Sequence, residues 1–153
     1  QFNLQEFILK KLATLLCFTL FAPVLFAKEH TVNLVTVGAS NASMVMEPGY
    51  IKIEKGDTIN FVPSDVTHNA ESFSAPAGGE FKTPLNGKAT KVTFDKEGVY
   101  LYKCLPHAVM GMVGVVQVGK PVNLDQSKKD WKKFRGTVAI NKERMDGYLA
   151  EVK

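Results

Sequence analysis

The chain has 153 residues, which fits one domain large enough to bury an ordinary hydrophobic core. Lysine and arginine together number 19 against 15 acidic residues, a formal net charge of +4. So small an excess of positive charge excludes the strongly basic surface of a nucleic-acid-binding protein.

The first 27 residues differ in composition from the rest of the chain. Two lysines precede an apolar run, 12–26, which ends at Ala27 before a polar stretch. A basic flank, a short apolar core and a small residue at the boundary are typical of a secretory signal peptide. The run is shorter than the about 20 apolar residues that span a bilayer. We therefore predict a cleaved signal peptide over residues 1–27 and a single domain over residues 28–153, with no membrane anchor after cleavage.

Cleavage there would change the cysteine count. The chain contains Cys17 and Cys104, and only Cys104 follows residue 27. The cleaved chain would hold one thiol and could form no internal disulfide. A lone thiol in an oxidising compartment is a liability unless something occupies it, and metal coordination does so.

Between His30 and Gly119 the sequence consists of short β-rich runs separated by turn residues. The runs cover residues 31–37, 50–54, 58–62, 88–95, 99–103 and 114–118. Gly56-Asp57, between the second and third runs, is typical of a hairpin turn. No stretch with helical periodicity appears before Pro121, which excludes a βαβ sheet. Short strands at this spacing predict an all-β sandwich or barrel.

The periodicity changes near the C-terminus. Apolar residues recur at helical spacing over 124–134, with Asn123 and Gln126 placed as a capping pair. Gly136-Thr137 interrupts this pattern, and we expect a second helix after it. The sequence therefore predicts a helical tail over about 123–152, packed against the strands.

The segment Tyr102–Met112 carries the residues with the most distinctive chemistry. It contains Cys104, His107 and Met112, spaced Cys-x2-His-x4-Met. A second imidazole would complete the ligand set of a blue-copper site, two His and one Cys with a weak axial Met. His68 is the candidate. Soft sulfur ligands favour copper over magnesium, calcium or manganese, and a thioether is a poor zinc ligand.

Short motifs on both sides of this segment repeat a known pattern. They are Met-Val-x-Glu-Pro at 44–48, Tyr-Ile-Lys at 50–52, Gly-Asp-Thr at 56–58, His-Asn-x-Glu-Ser at 68–72 and Asn-Leu-Asp-Gln at 123–126. Together with the segment Tyr102–Met112, called the copper loop below, they resemble the small type-1 copper proteins, the cupredoxins, and within them the pseudoazurins. The resemblance runs from about Glu29 to the end of the chain. It implies a Greek-key β-sandwich or barrel of about eight strands with two C-terminal α-helices.

The resemblance also implies a function. The protein would be a periplasmic electron carrier and not an enzyme, cycling one copper ion between Cu(I) and Cu(II). The axial ligand would be Met112, the second methionine of Met-Gly-Met, with Met110 as its competitor. Asn69 would tie the two ligand loops together. The ring edge of His107 would reach the surface inside an apolar patch through which the electron leaves.

Partners follow from the same resemblance. Copper nitrite reductase, nitrous oxide reductase and c-type cytochromes of denitrification would dock transiently at the His107 face of a monomer. Family members use a ring of lysines for this docking. Here Lys82, Lys88 and Lys103 are present, whereas Val37 and Val66 occupy positions that are often lysine in the family.

Two other classes of function stay open at this point. One is a hydrolase with Cys104 as nucleophile and His107 as base. The other is a periplasmic copper carrier that delivers the metal itself, for which Met44, Met46, Met110 and Met112 would supply thioether ligands.

Overall fold

The computed structural model describes residues 27–153, so the predicted signal peptide, apart from Ala27, lies outside the described residues. Eight strands and two helices make up the fold. The strands are β1 Glu29–Val37, β2 Ser43–Glu47, β3 Tyr50–Ile53, β4 Thr58–Pro63, β5 Glu71–Ser74, β6 Thr90–Thr93, β7 Gly98–Lys103 and β8 Val113–Val118. The helices are α1 Leu124–Phe134 and α2 Glu143–Glu151. Within this part of the chain, no helix combines the length and apolar character that crossing a bilayer requires.

The strands form two four-stranded sheets with orders β2-β1-β4-β6 and β3-β8-β7-β5. The pairs β1–β4 and β3–β8 are parallel and the remaining pairs are antiparallel. The sheets enclose one buried core between them and, over residues 27–153, do not close into a barrel. The predicted all-β fold is confirmed in its sandwich form.

The predicted hairpin at Gly56-Asp57 is wrong. This turn joins β3 and β4, which lie in different sheets. β3 pairs with β8, whereas β4 lies between β1 and β6. The Asp57 carboxylate accepts hydrogen bonds from the amide N–H groups of Lys28 at 2.7 Å and Glu54 at 3.1 Å. The turn is therefore stabilised by its own aspartate and the start of β1, and it carries the chain from one sheet to the other.

Strand β7 determines where the only cysteine of residues 27–153 lies. Tyr100, Tyr102 and Cys104 belong to the core between the sheets, whereas Val99 and Leu101 pack against the helices. This alternation follows from the two-residue period of a strand. The sheet that contains β7 is thus covered on both faces, and Cys104 ends its inner row of side chains.

The two predicted C-terminal helices are confirmed. Trp131 from α1 and Met145 and Leu149 from α2 bury against the outer face of β7 and β8. The predicted capping role of Asn123 is wrong, because its side chain makes no cap hydrogen bond to α1. Its amide group instead accepts from the N–H of Val99 at 2.7 Å and donates to the C=O of Val99 at 2.9 Å.

Candidate metal centre

Two loops at one end of the sandwich carry the predicted ligands. His68 lies between β4 and β5, and Cys104, His107 and Met112 lie between β7 and the start of β8. The second loop is tight, because the N–H of Cys104 donates to the C=O of Met112 at 2.9 Å. A 3₁₀ turn, Ala108–Met110, follows His107 and ends at Gly111, whose φ of 76° is left-handed.

Three donor atoms meet where these loops approach each other. Nδ1 of His68 and Nδ1 of His107 are 3.2 Å apart. The Cys104 sulfur lies 3.8 Å from the first of these nitrogens and 3.6 Å from the second. Metal–nitrogen bonds of about 2.0 Å and metal–sulfur bonds of about 2.3 Å place donors around one ion about 3.3–3.8 Å apart. The spacing and the soft donor chemistry therefore fit a single metal ion.

Met112 shares the buried core with Cys104. Its side chain is fully buried in the same core as Cys104, and its backbone is hydrogen-bonded to that residue. Met110 is only partly buried on the 3₁₀ turn. Burial thus favours Met112 over Met110 as the axial ligand. The four side chains His68, Cys104, His107 and Met112 are compatible with one type-1 copper ion.

The other nitrogen of His68 faces two residues that the sequence did not single out. Nε2 lies 2.9 Å from the hydroxyl of Thr36 and 3.4 Å from a carboxylate oxygen of Asp65. The Thr36 hydroxyl donates to the same carboxylate oxygen at 3.1 Å. With an N–H at Nε2 bonded to this pair, Nδ1 is the nitrogen left free for a metal. Only the position of Asp65, three residues before His68, hinted at this role.

Burial controls the protonation of His68 and Cys104. Desolvation lowers the pKa of His68, against the opposing effect of the Asp65 carboxylate. The neutral imidazole is the form that binds metals. Burial raises the pKa of the Cys104 thiol, although the amide N–H groups of Asn69 and His107 act in the opposite direction. In the metal-free protein these groups are therefore held uncharged.

Asn69 links the two ligand loops, as the resemblance implied. Its side-chain oxygen accepts a hydrogen bond from the N–H of Leu105 at 2.8 Å, and its amide nitrogen donates to the C=O of Thr83 at 3.3 Å. Asn69 is fully buried. Because Asn69 directly follows His68 and Leu105 directly follows Cys104, this bond fixes one ligand relative to the other.

Exposed apolar side chains surround the copper end. Leu105 is 45% exposed, Val109 49% and Val66 65%, and the ring of His107 is partly exposed. The apolar patch around His107 stays a prediction, and the exposure of Leu105 and Val109 on its loop supports it.

Two of the lysines expected to surround the docking surface are paired with an acidic residue. The side chain of Lys103 is only 19% exposed, with Nζ 3.6 Å from Glu71 and 5.1 Å from the ring centre of Phe134. Lys82 is 65% exposed and its Nζ lies 3.1 Å from the same glutamate. Glu71 thus lies between two lysines and offsets part of their charge. The sequence could not reveal this pairing, because it depends on how β5 lies beside β7.

The chemistry of a hydrolase does not fit this site. Cys104 is fully buried and its thiol pKa is raised by burial. A nucleophilic cysteine instead needs access to substrate and a lowered pKa. The thiol is placed to bind a metal and not to attack a substrate.

Comparisons with known proteins agree with this description. Residues 33–119 match the model of the copper binding proteins of the plastocyanin/azurin family. The chain is 47% identical to pseudoazurin from Paracoccus pantotrophus, over 83% of this chain and 86% of that protein. It is 39% identical to a putative pseudoazurin from Rhizobium leguminosarum bv. viciae, over 86% of this chain and 84% of that protein. The crystal structure of native pseudoazurin from Hyphomicrobium denitrificans is similar with a TM-score of 0.70 and 42% identity, covering 82% of this chain and 98% of that one. The chain therefore belongs to the pseudoazurins, cupredoxins that carry electrons on copper and are not enzymes.

Proposed function

We propose that His68, Cys104, His107 and Met112 bind one type-1 copper ion, and that the protein carries single electrons between redox proteins of the periplasm. The observation that carries this proposal is the convergence of two Nδ1 atoms and one sulfur within 3.8 Å of one another. Copper, when bound, supplies the one-electron Cu(I)/Cu(II) couple.

The residues of this chain keep the ligands in place. Fast electron transfer needs little movement of the ligands between the two oxidation states. The hydrogen bonds of Thr36 and Asp65 orient His68, and the bond from Asn69 to Leu105 holds Cys104 next to it. Pro106 limits the backbone freedom of the copper loop. Full burial of His68 and Cys104 keeps water away from both ligands.

His107 is the proposed exit for the electron. It is the only one of the four proposed ligands that is not fully buried, and exposed Leu105 and Val109 lie on its loop. A small apolar surface suits brief encounters, as in weak redox complexes that bury less than about 1,200 Å² in total. The carrier would act as a monomer, docking through this surface.

The proposed partners are copper nitrite reductase, nitrous oxide reductase and c-type cytochromes. The proposed compartment is the periplasm, reached through a signal peptide over residues 1–27 that is then removed.

The copper proposal is tested by adding Cu(II) to the purified metal-free protein and recording its visible spectrum. We expect an intense blue band that bleaches on one-electron reduction and returns on reoxidation. A copper-bound but colourless protein would contradict the proposal and favour a copper carrier. The partner proposal is tested separately, by stopped-flow oxidation of the reduced protein with a copper nitrite reductase. Absence of electron transfer would exclude that partner.

A further inference from the structure

The segment before helix α2 is hydrogen-bonded to the copper loop. The N–H groups of Ala139 and Ile140 donate to the C=O of Val109 at 2.8 and 3.4 Å. The side-chain amide of Asn141 donates to the C=O of Met110 at 3.0 Å. The outer carbonyls of the 3₁₀ turn thus find their donors in the C-terminal tail.

The fit between this segment and Gly111 is close. A Cβ atom at Gly111 would lie 2.7 Å from the C=O oxygen of Ile140 and 2.9 Å from Cβ of Asn141. Asn141 itself has a left-handed φ of 55°, which asparagine adopts more readily than most residues. The tail therefore contacts the backbone at the turn that leads directly into Met112.

Arg144 joins this loop to a third part of the copper end. Its Nη1 donates to the carbonyls of Ser43 at 3.1 Å, Met44 at 2.9 Å and Gly111 at 3.3 Å. Hydrogen bonds from a guanidinium are charge-assisted and geometrically specific. Arg144 directly precedes Met145, which is buried in the packing of α2. That packing therefore determines where the guanidinium of Arg144 lies.

Backbone hydrogen bonds connect the residues after the 3₁₀ turn to the proposed ligands. The N–H of Met112 donates to the C=O of His107 at 3.3 Å, and the C=O of Met112 accepts from Cys104 at 2.9 Å. A displacement of Gly111 would therefore move Met112 and be passed to both of these residues. The contact of Arg144 with the Gly111 carbonyl acts on the point from which this displacement would start, and its contacts with Ser43 and Met44 tie that point to β2.

We propose that Arg144 and Asn141 are positioning residues of the copper site, which hold the turn Ala108–Gly111 against β2 and so fix Met112 relative to Cys104. The proposal rests on the proposed ligand set. It gives the C-terminal tail a role in the metal site in addition to packing on the sandwich.

The test compares four variants with the wild-type chain. Arg144→Met removes the carbonyl contacts and keeps an apolar stem, and Arg144→Lys restores a positive donor. Asn141→Gly removes one hydrogen bond and tolerates the left-handed φ. Arg135→Met is the matched control, since it breaks the tail's ion pair with Asp146, 2.9 Å long, without touching the copper loop.

Three quantities are measured: the rate of copper release to an excess of chelator, the reduction potential, and hydrogen exchange at the amides of Gly111 and Met112 in the metal-free chain. Loss of outer-shell partners costs about 10- to 100-fold in metal affinity, and we expect about ten-fold faster release for Arg144→Met. Its potential should shift and both amides should exchange faster. Arg144→Lys should recover part of each effect, Asn141→Gly should show a smaller one, and Arg135→Met should match wild type.

Equal release and exchange in Arg144→Met and Arg135→Met would overturn the proposal. If the fluorescence of Trp131 reports that Arg144→Met loosens the tail, Asn141→Gly decides instead, and unchanged exchange at Gly111 and Met112 would then overturn it. Failure of the ligand set itself is recognised separately. In that case Met112→Gln would leave the spectrum and potential of the copper-loaded protein unchanged, whatever Arg144 does.

Discussion

The hydroxyl of Thr36 lies 2.9 Å from Nε2 of His68, on the side of the ring opposite the Nδ1 atom that faces Cys104. A residue of the first strand therefore orients a proposed ligand that follows the fourth. Second-sphere bonds of this kind fix the tautomer and the ring orientation of a metal-binding histidine.

We expect Thr36→Val to weaken copper binding. The substitution keeps the β-branched shape and removes the hydroxyl that His68 contacts. Because Asp65 remains 3.4 Å from Nε2, the loss should lie near the lower end of the range for second-sphere partners, about ten-fold in affinity. Competition with a chelator measures this loss. Thr58→Val is the matched control, since its hydroxyl contacts only Thr93 among the described residues and lies away from the copper end. Equal losses in both variants would refute the role of Thr36.

Substitution with glutamine shows which methionine of the copper loop, Met110 or Met112, is the axial ligand. Met112→Gln should retain copper and lower the reduction potential, because an oxygen donor favours Cu(II) over Cu(I) more than a thioether does. A ten-fold change in the relative affinity for the two oxidation states corresponds to about 59 mV, and we expect a fall of at least about that size. Met110→Gln should change the potential much less. Voltammetry of both variants measures the difference, and the reverse order would assign the axial position to Met110.

Docking should depend on Lys82 more than on the lysines of the tail. Lys82 lies next to Glu71, which in turn pairs with Lys103 immediately before Cys104. Lys103 is a poor test residue, because its side chain is only 19% exposed, whereas that of Lys82 is 65% exposed and can meet a partner. Reversing one charge about 10 Å from a partner carboxylate in water changes the encounter energy by about 0.8 kcal/mol, roughly four-fold in rate.

The experiment is stopped-flow oxidation of reduced Lys82→Glu and Lys128→Glu by a copper nitrite reductase across a salt series. Lys82→Glu should react roughly four-fold more slowly at low salt. The deficit should shrink as salt rises, because exposed charges are screened beyond about 8 Å at physiological ionic strength. Lys128→Glu should stay close to wild type. A larger deficit in Lys128→Glu would mean that α1, and not the copper end, meets the partner.

Asp57 should contribute to stability in a pH-dependent way. Burial raises its pKa, but hydrogen bonds from the amide N–H groups of Lys28 and Glu54 and from His30 outweigh this effect, so that the pKa is lowered from 3.8. His30 is hydrogen-bonded to Asp57 at 2.8 Å. A lowered pKa means that the unfolded chain binds the proton more tightly. The stabilisation is therefore present above pH 3.8 and is lost as pH falls through the folded-state pKa.

Guanidinium unfolding of the metal-free protein at pH 7 and pH 3 tests this. Asp57→Asn should cost about 1–3 kcal/mol at pH 7 and less at pH 3, which lies below the pKa of the unfolded chain. Asp95→Asn, at an exposed position, should cost little at either pH. A cost for Asp57→Asn that is the same at both pH values would show that charge on Asp57 does not contribute.

The proposed ligands could be read from the sequence because their chemistry is carried by short motifs. The residues behind them could not. Thr36 reaches Asp65 only because β1 and β4 pair in parallel with Leu34 opposite Pro63, which brings the residues that follow this pair together. That register cannot be read from either segment alone.

The fold was predictable to a similar extent. The β-branched runs identified six strands, but β2 and β5, with the sequences Ser-Met-Val-Met-Glu and Glu-Ser-Phe-Ser, lack such a run. The hairpin at Gly56-Asp57 was wrong because a local turn signal does not say which sheet the next strand enters. The contacts of Arg144 with Ser43 and Met44 join residues about a hundred positions apart and had no sequence signal at all.

The central claim is that the thiolate of Cys104 binds the copper that carries the electron. It is tested most directly by the visible spectrum of copper-loaded Cys104→Ser beside wild type, with circular dichroism to confirm that both are folded. We expect the wild-type protein to be intensely blue and the variant to lose that band completely while keeping its β-sandwich, since the thiolate alone supplies the transition. A folded Cys104→Ser variant that remains intensely blue would contradict the account.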